Sequence, residues 1–472
     1  MLAMKNLVSE QELLVQRNYS KKCEEILKNM FVDRQPVCYV YSYGCQGNVS
    51  DGEKIKGMLA QMGYGISDSA QGVDLAIFNT CAIRENAQDR VFGNLGMLIH
   101  YKKSNPGMLI GLCGCMVQQE HVAKKIAKVF PGVNLIFGTH VIHKLPEFIY
   151  NILSDKRRIC DIPDSDGVIV EGLPVVRESR IKASVPISFG CNNFCSYCIV
   201  PHVKGRERSR DFFSIYNEVK SLVDGGFKEI MLLGQNVNSY GNDLDGGVNF
   251  SYLLSKINDI DGDFRIRFMT SHPKDATAEL IDTMARCGKV CKHLHLPVQC
   301  GSDKILDLMN RKYNIEQYLK IVEYARKKIP NISLTSDIIV GFPGETYSDF
   351  KQTLNLIKSV QYSSLFMFIF SPRKGTAAFN MRDPIASEEK VRWLRELIDC
   401  QNEISEEVHK SYVGRTQRVL FDCDFRASCG MITGRTDTNL IVNCKANGAK
   451  IGDFADVKIT RSSRMALEGE LI

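Results

Sequence analysis

The stretch Gly190-Cys191-Asn192-Asn193-Phe194-Cys195-Ser196-Tyr197-Cys198 carries the most telling chemistry in the chain. Three thiolates spaced C-x3-C-x2-C on one tight loop are able to hold three irons of a cubane, and the fourth iron is left without a protein ligand. A structural zinc or an electron-transfer centre uses a closed ligand set, whereas an open position belongs to catalysis. A Cys3His zinc knuckle completed by His202 is the competing reading, although zinc pairs usually come as C-x2-C with a distant second pair.

A second set is spread more widely. Cys45, in Tyr43-Gly44-Cys45-Gln46-Gly47-Asn48, Cys81, in Asn79-Thr80-Cys81-Ala82-Ile83-Arg84, and Cys115, in Cys113-Gly114-Cys115-Met116-Val117-Gln118, each follow a strand-like run. From Pro36 the apolar pattern predicts strands at 37–43, 73–79, 108–113 and 134–138 with helical stretches between them, the mark of a parallel α/β unit. Ligands collect at the carboxyl ends of such strands. The three cysteines are therefore expected to converge on a second metal site, again one ligand short, while Cys113, inside its strand, goes to the core. The pattern of Ser50 and Glu53 predicts the N-terminal capping box of the first helix in this unit, and Gly63 its stop.

Beyond an aperiodic stretch, strand-like runs recur at 184–189, 229–234, 264–270, 293–298, 333–340 and 362–370. Six strands separated by helical patterns predict a partial (β/α)6 barrel, open on one side, with the Cys191 loop after its first strand. Gly234, Gln235, Asn236, Gln299 and Asp337 fall at strand ends or line them, as ligand contacts or as turn and capping residues. The turn Gly341-Phe342-Pro343-Gly344-Glu345-Thr346 suits an anion before a helix, or no ligand at all. Lys204, Arg206, Arg208 and Arg210 alternate just after the cysteine loop, as a solvated face or as phosphate contacts for RNA. From Tyr412, short runs at 417–422, 430–434, 439–444 and 454–460 predict a small antiparallel barrel of OB type, serving RNA binding or interdomain support. The expected divisions are an N-terminal arm at 1–35, a cluster domain at 36–150, a linker at 151–182, a barrel at 183–408 and the small barrel at 411–472.

Composition sets bounds. A chain of 472 residues is too long for one core. Its formal charge of +6 permits a polyanionic partner without requiring one. Seventeen cysteines in a chain with 24% charged residues point to a reducing compartment rather than to disulfides. No apolar run approaches the roughly 18 residues of a membrane span. The expectation is a soluble, cytoplasmic protein that does not engage a membrane.

Taken together, these motifs resemble the methylthiotransferase branch of the radical S-adenosylmethionine (SAM) enzymes, from about Pro36 onward. Tyr197 before the last cysteine fits the pattern, as do Phe137-Gly138-Thr139-His140, Pro297-Val298-Gln299 and Phe370-Ser371-Pro372-Arg373. Gly47 departs, standing where the family usually has Met, and is expected to loosen the backbone beside Cys45. The resemblance implies an α/β cluster domain, a radical SAM barrel and a C-terminal TRAM domain. It implies two [4Fe-4S] clusters as cofactors, one on Cys191, Cys195 and Cys198 and one on Cys45, Cys81 and Cys115. SAM is then held by Tyr197, Gly234, Gln235, Asn236, Gln299 and Asp337. The first cluster would cleave SAM to methionine and a 5'-deoxyadenosyl radical, and the second would carry the sulfur that is methylated and transferred. No protein side chain is then needed as a catalytic residue. The implied substrate is the tRNA anticodon stem-loop, at an isopentenylated adenosine in position 37. A low-potential electron donor such as flavodoxin and a monomeric state are further expectations. Threonylcarbamoyl-adenosine tRNA and a ribosomal-protein aspartate are alternative substrates within the branch, though enzymes for both differ at Tyr-Gly-Cys-Gln. A non-enzymatic, zinc-stabilised RNA-binding protein is the alternative from another class.

Overall fold

The computed structural model describes residues 6–82, 85–423 and 430–472. Ile83 and Arg84 of the Asn79–Arg84 motif lie outside them. The chain divides into two compact units, one of residues 1–178, 189–192 and 199–210, the other of 179–188, 193–198 and 211–472.

The first unit is built on strands β1 (Val37–Ser42), β2 (Gly65–Ser67), β3 (Leu75–Thr80), β4 (Leu109–Gly114), β5 (Leu135–Phe137) and β6 (Ile159–Asp161). They form one parallel sheet in the order β2-β1-β3-β4-β5-β6. Alternation along β3 sends Leu75 and Ile77 to one face and Ala76 and Phe78 to the other, so the sheet has a core on each side. Helices α1 (Glu10–Met30), α2 (Gln46–Gln61) and α5 (Leu145–Asp155) cover the first face, α3 (Glu85–Ser104) and α4 (Glu120–Val129) the second.

Two expectations need correction here, the linker at 151–182 and the capping box at Ser50 and Glu53. The arm at 1–35, expected to be helical or partly disordered, contains helix α1, whose buried stripe Gln16, Ser20, Cys23 and Leu27 seats it on α5. Gln16 Nε2 donates to Glu147 Oε2 at 3.2 Å, and Glu147 N donates back to Gln16 Oε1 at 3.2 Å. The linker at 151–182 begins inside α5 and supplies β6, a strand too short to show alternation. The capping box at Ser50 and Glu53 is not formed, because α2 starts at Gln46 with Cys45 as N-cap. Glu53 instead accepts from Arg177 Nη1 at 3.1 Å and Glu178 N at 3.0 Å.

The second unit holds the six strands expected of the partial barrel: β7 (Lys182–Pro186), β8 (Glu229–Leu233), β9 (Arg265–Phe268), β10 (His293–His295), β11 (Ser333–Val340) and β12 (Ser364–Ile369). Parallel pairing gives β7-β8-β9 and β10-β11-β12, and backbone bonds from Ile266 to Lys289 and Cys291 join the halves into one arc. The arc ends at β7 and β12 and does not close. Helix α6 (Ser387–Lys410) then leads to a closed barrel of β13 (Thr416–Cys423), β14 (Met431–Thr436), β15 (Ile441–Lys445), β16 (Phe454–Ser462) and β17 (Leu467–Leu471). Its pairs are antiparallel except β15 with β17, and β17 was not anticipated from sequence. This small barrel groups with the arc rather than standing as a third unit.

Candidate functional site

In the first unit, Cys45, Cys81 and Cys115 follow β1, β3 and β4, which are adjacent in the sheet. Cys45 is the N-cap of the 16-residue α2 and so lies at the positive end of a helix. Asn48 binds the three strand ends together. Its Nδ2 donates to Tyr43 O at 2.8 Å and Thr80 O at 2.9 Å, and Cys115 Sγ lies 3.7 Å from its Oδ1. Gly44 and Gly114 both have positive φ, +96° and +94°. A Cβ at 44 would lie 2.5 Å from Cys81 Sγ, and one at 114 would lie 2.6 Å from Thr80 N. Only glycine lets these loops approach so closely.

Burial pushes the Cys115 thiol up to about 12, with Lys204 opposing and Cys45 and Cys81 adding to the rise. Thiolates crowded at one sheet edge would repel one another, and a bound cation relieves that repulsion. No group of three His, Cys, Asp or Glu side chains among the described residues is placed to hold a single metal ion. A cubane differs, since each thiolate binds its own iron and the sulfurs stand farther apart. Among the described residues no cysteine is in a disulfide. Cys113 is fully buried in β4, as expected, and burial raises its pKa well above the ordinary thiol value.

The basic run is a correction. Lys204 is half-buried against Asp51, Nζ to Oδ2 3.1 Å. Burial opposes its charge, but Asp51, Cys115 and Cys45 hold its pKa above the ordinary lysine value. Arg208 is buried and donates to the carbonyls of Asp166, Lys204 and Arg206. Arg210 is buried and donates to Glu171, Nη2 to Oε2 2.5 Å and Nε to Oε1 2.7 Å. These three charges are spent on carboxylates and carbonyls within the unit, and of the four only Arg206 is exposed to solvent. Gly47 sits inside α2, and a Cβ there would meet only Cys45 Sγ at 3.6 Å.

The Cys191 loop begins in the first unit, where Cys191 N donates to Gly205 O at 3.2 Å. Its Cys195 and Cys198 portion belongs to the second, held by residues 308–311. Ser196 N donates to Met309 O at 3.0 Å, Ser196 Oγ to Leu308 O at 2.8 Å and Asn310 Nδ2 to Phe194 O at 2.9 Å. Arg311 is buried, and its Nη1 donates to Cys195 Sγ at 3.2 Å. Burial opposes the guanidinium charge, yet Tyr313, Tyr197 and Cys195 hold its pKa well above the ordinary value. Sequence reasoning missed Arg311, since a lone Arg after a short helix belongs to no motif. Tyr197 packs edge-on against Phe342, ring centroids 6.5 Å apart.

At the carboxyl ends of β7, β8 and β9, Ser188 Oγ, Asn236 Oδ1 and Ser271 Oγ are buried without a hydrogen-bond partner. Each such atom costs about 1–3 kcal/mol. Together they fit a polar ligand that would satisfy them, as the amino acid end of SAM does. Gly234 keeps the approach open, because a Cβ there would lie 2.6 Å from Ser188 Oγ. Gln235 is half-buried beside it, and Asn236 Nδ2 donates to Asp275 Oδ2 at 2.7 Å. Gln299 takes the left-handed conformation, φ +72°, bridging to β11 through Asp337 O and Ile339 N. Asp337 projects from β11 with its Oδ1 3.5 Å from His295 Nε2. By contrast, the Gly341–Thr346 turn is filled by its own side chain. Glu345 Oε2 accepts from Gly341 N at 2.6 Å and Phe342 N at 3.1 Å, leaving no anion cradle.

Comparison with known proteins agrees with this architecture. Family models match residues 185–357 (Radical SAM superfamily), 37–138 (Uncharacterized protein family UPF0004) and 410–472 (TRAM domain). The tRNA-2-methylthio-N(6)-dimethylallyladenosine synthase of Clostridium tetani is 48% identical over 432 residues, covering 92% of this chain and 95% of the relative. The protein of the same name from Acetivibrio thermocellus is 44% identical, covering 98% and 97%. Among solved structures, the radical SAM methyltransferase TsrM from Kitasatospora setae matches with a TM-score of 0.53 at 13% identity, over 73% of this chain and 77% of that one. The cobalamin-dependent SAM radical enzyme OxsB matches at 0.52 and 12%, over 84% and 61%. These two likenesses speak for the fold alone. An open six-stranded arc whose strand ends carry a three-cysteine loop defines a radical SAM enzyme. The chain belongs to the tRNA-2-methylthio-N(6)-dimethylallyladenosine synthase family.

Proposed function

We propose that the chain installs a methylthio group at carbon-2 of N6-isopentenyladenosine, position 37 of tRNA. The observation that carries this reading is full-length relatedness to synthases named for that product, 48% over 92% of the chain. Three strand-end thiols in the same chain as a radical SAM barrel support it. The carbon-2 C–H bond is not acidic and yields to no ordinary nucleophile. SAM and reduced [4Fe-4S] clusters, when bound, supply the one-electron chemistry that such a bond requires.

The chain's own residues prepare the reaction. Cys191, Cys195 and Cys198, three ligands for four irons, leave one position for SAM, and Arg311 donates to Cys195 Sγ and disperses thiolate charge. Ser188, Asn236 and Ser271 offer buried acceptors to the SAM amino group, with Gln299 and Asp337 farther along the arc. Cys45, Cys81 and Cys115 would hold the sulfur-bearing cluster, and the half-buried Lys204 feels the field of Cys115 and Cys45 as well as that of Asp51. RNA chemistry on a base requires that base out of its stack, which an anticodon loop permits at small cost. No helix among the described residues is long and apolar enough to cross a membrane. A cytoplasmic monomer served by a low-potential donor such as flavodoxin is the setting we propose.

Triple substitution tests this division of labour. With reductant, SAM and isopentenylated tRNA, replacing Cys191, Cys195 and Cys198 by Ala abolishes both 5'-deoxyadenosine and methylthio product. Replacing Cys45, Cys81 and Cys115 by Ala leaves 5'-deoxyadenosine but no product, as chromatography of nucleosides and S-adenosylhomocysteine reads directly. Methylthio-adenosine from the second variant would refute the two-cluster assignment.

A further inference from the structure

Paired residues of adjacent parallel strands project to the same face. The registers His295 with Thr335, Thr335 with Ser364 and Asp337 with Phe366 therefore set these side chains on one face of β10-β11-β12. Leu294, Leu334, Ile338 and Leu365 point the other way, into the helix-packed core. The first face is the concave interior of the arc. Deep in it, His295 and Thr335 are buried and bonded, Nδ1 to Oγ1 3.0 Å. Toward the carboxyl end the same face changes character. Phe366 is 45% exposed and Phe368, in register with Ile339, is 41% exposed, although both lie on the inner side of a barrel wall. Phe366 is braced edge-on by His295, ring centroids 5.8 Å apart.

Two bare aromatic rings on a rigid strand, at the open edge of the arc and beside Asp337, are a binding surface without an assigned ligand. We propose that Phe366 and Phe368 set substrate specificity, one ring stacking on the target adenine and the other packing against its apolar N6 substituent. The proposal rests on the tRNA reading above and names the residues that read the nucleoside. Alternate strand residues stand about 6–7 Å apart, a spacing that spans a base and a short tail. Aromatic stacking is the usual means of holding an unstacked base. The Asp337 carboxylate, in register with Phe366, disfavours an anionic N6 tail and selects a neutral, apolar one.

The test compares anticodon stem-loop RNA carrying N6-isopentenyladenosine with the same RNA carrying plain adenosine, for wild type, Phe366→Leu, Phe368→Leu and the double Ala variant. For the isopentenylated RNA, KM and the Kd from fluorescence anisotropy rise about tenfold or more in the double variant, the loss expected of one base stack. Preference for the isopentenylated over the plain RNA collapses in both binding and kcat/KM. Melting temperatures stay near wild type because the rings are exposed, and the Leu variants lose less than the Ala pair. Unchanged values, or equal losses for both RNAs, overturn the assignment. A wild-type enzyme that modifies neither RNA overturns the substrate reading itself, and is seen before any variant is compared.

Discussion

Gly44 and Gly47 lie three residues apart on either side of Cys45, and replacing each with Ala should have opposite effects. At Gly44, φ is +96°, which costs an L-residue roughly 1–2 kcal/mol. Its new Cβ would also lie 2.5 Å from Cys81 Sγ, far inside contact distance. Neither partner is able to withdraw easily. Cys81 is 2% exposed, and Asn48 ties the loop after β1 to the end of β3 through Tyr43 O and Thr80 O. Overpacking of this kind costs about 1–3 kcal/mol more. The sum, about 2–5 kcal/mol, is less than the stability of an ordinary domain. The fold therefore survives while Cys81 is displaced. After anaerobic reconstitution, Gly44→Ala should hold about four irons per chain where wild type holds about eight. SAM cleavage persists and methylthio product is lost. Gly47→Ala, inside α2 and 3.6 Å from Cys45 Sγ, keeps its iron, and its melting temperature is equal or higher because Ala favours a helix by about 0.5–1 kcal/mol. A Gly44→Ala protein with full iron and wild-type melting would refute the packing argument.

Two further predictions concern the second unit. Burial raises the Glu229 pKa, but Arg267, Arg265 and Lys182 overcome it and bring the carboxyl down to about 2. A depressed pKa contributes stability above the unfolded value near 4.5 and loses it as pH falls toward 2. The contribution is about 3 kcal/mol. Glu229→Gln should therefore lower the melting temperature at pH 7 and flatten its fall between pH 5 and 3; an unchanged acid profile would count against the network. Truncation after Lys410 should lower the melting temperature of the remaining arc as well as its tRNA affinity. The cut strips Arg265 and Arg267 of carbonyl acceptors at Arg435, Thr436 and Asp437. An arc that melts as before, measured calorimetrically, would show the small barrel to be independent.

Strand positions were legible in the sequence because alternating burial leaves a period of two that short apolar runs preserve. Every strand-like run of the two α/β stretches corresponds to an observed strand, whereas Gly65–Ser67 and Ile159–Asp161 have too few apolar side chains to mark a run. Strand-end cysteines were legible for the same reason, since locating the end of a strand also locates the residue after it. Partners distant in sequence were not legible. The alternation of Lys204, Arg206, Arg208 and Arg210 resembles a phosphate-binding face until Asp51, Asp166 and Glu171 arrive from elsewhere in the chain. The Ser50 and Glu53 pattern failed likewise, because Arg177 and the Glu178 amide claim Glu53. Arg311 and Asn48 reach cysteine sulfur only through tertiary packing, and spacing alone gave them no role.

The two ends of the arc are built for different purposes. Glu229 and Arg265 open β8 and β9, so they lie at the amino-terminal end of the strands. Glu229 Oε2 accepts from Arg265 Nε at 2.6 Å and Arg267 Nε at 3.2 Å. Further donors reach the β14–β15 turn of the small barrel, Arg265 Nη1 to Arg435 O at 2.8 Å and Arg267 Nη2 to Thr436 O at 3.1 Å, while Arg265 Nη2 stays without a partner among the described residues. Lys182, opening β7, pairs with Asp422 of β13. Much of the charge that burial would otherwise penalise is thus met by Glu229 and by the small barrel. The carboxyl end keeps Ser188, Asn236 and Ser271 unsatisfied and Phe366 and Phe368 exposed. At the β14–β15 turn the small barrel serves the support role. The aromatic wall proposed to read the nucleoside stands at the carboxyl end, beside the unsatisfied polar atoms.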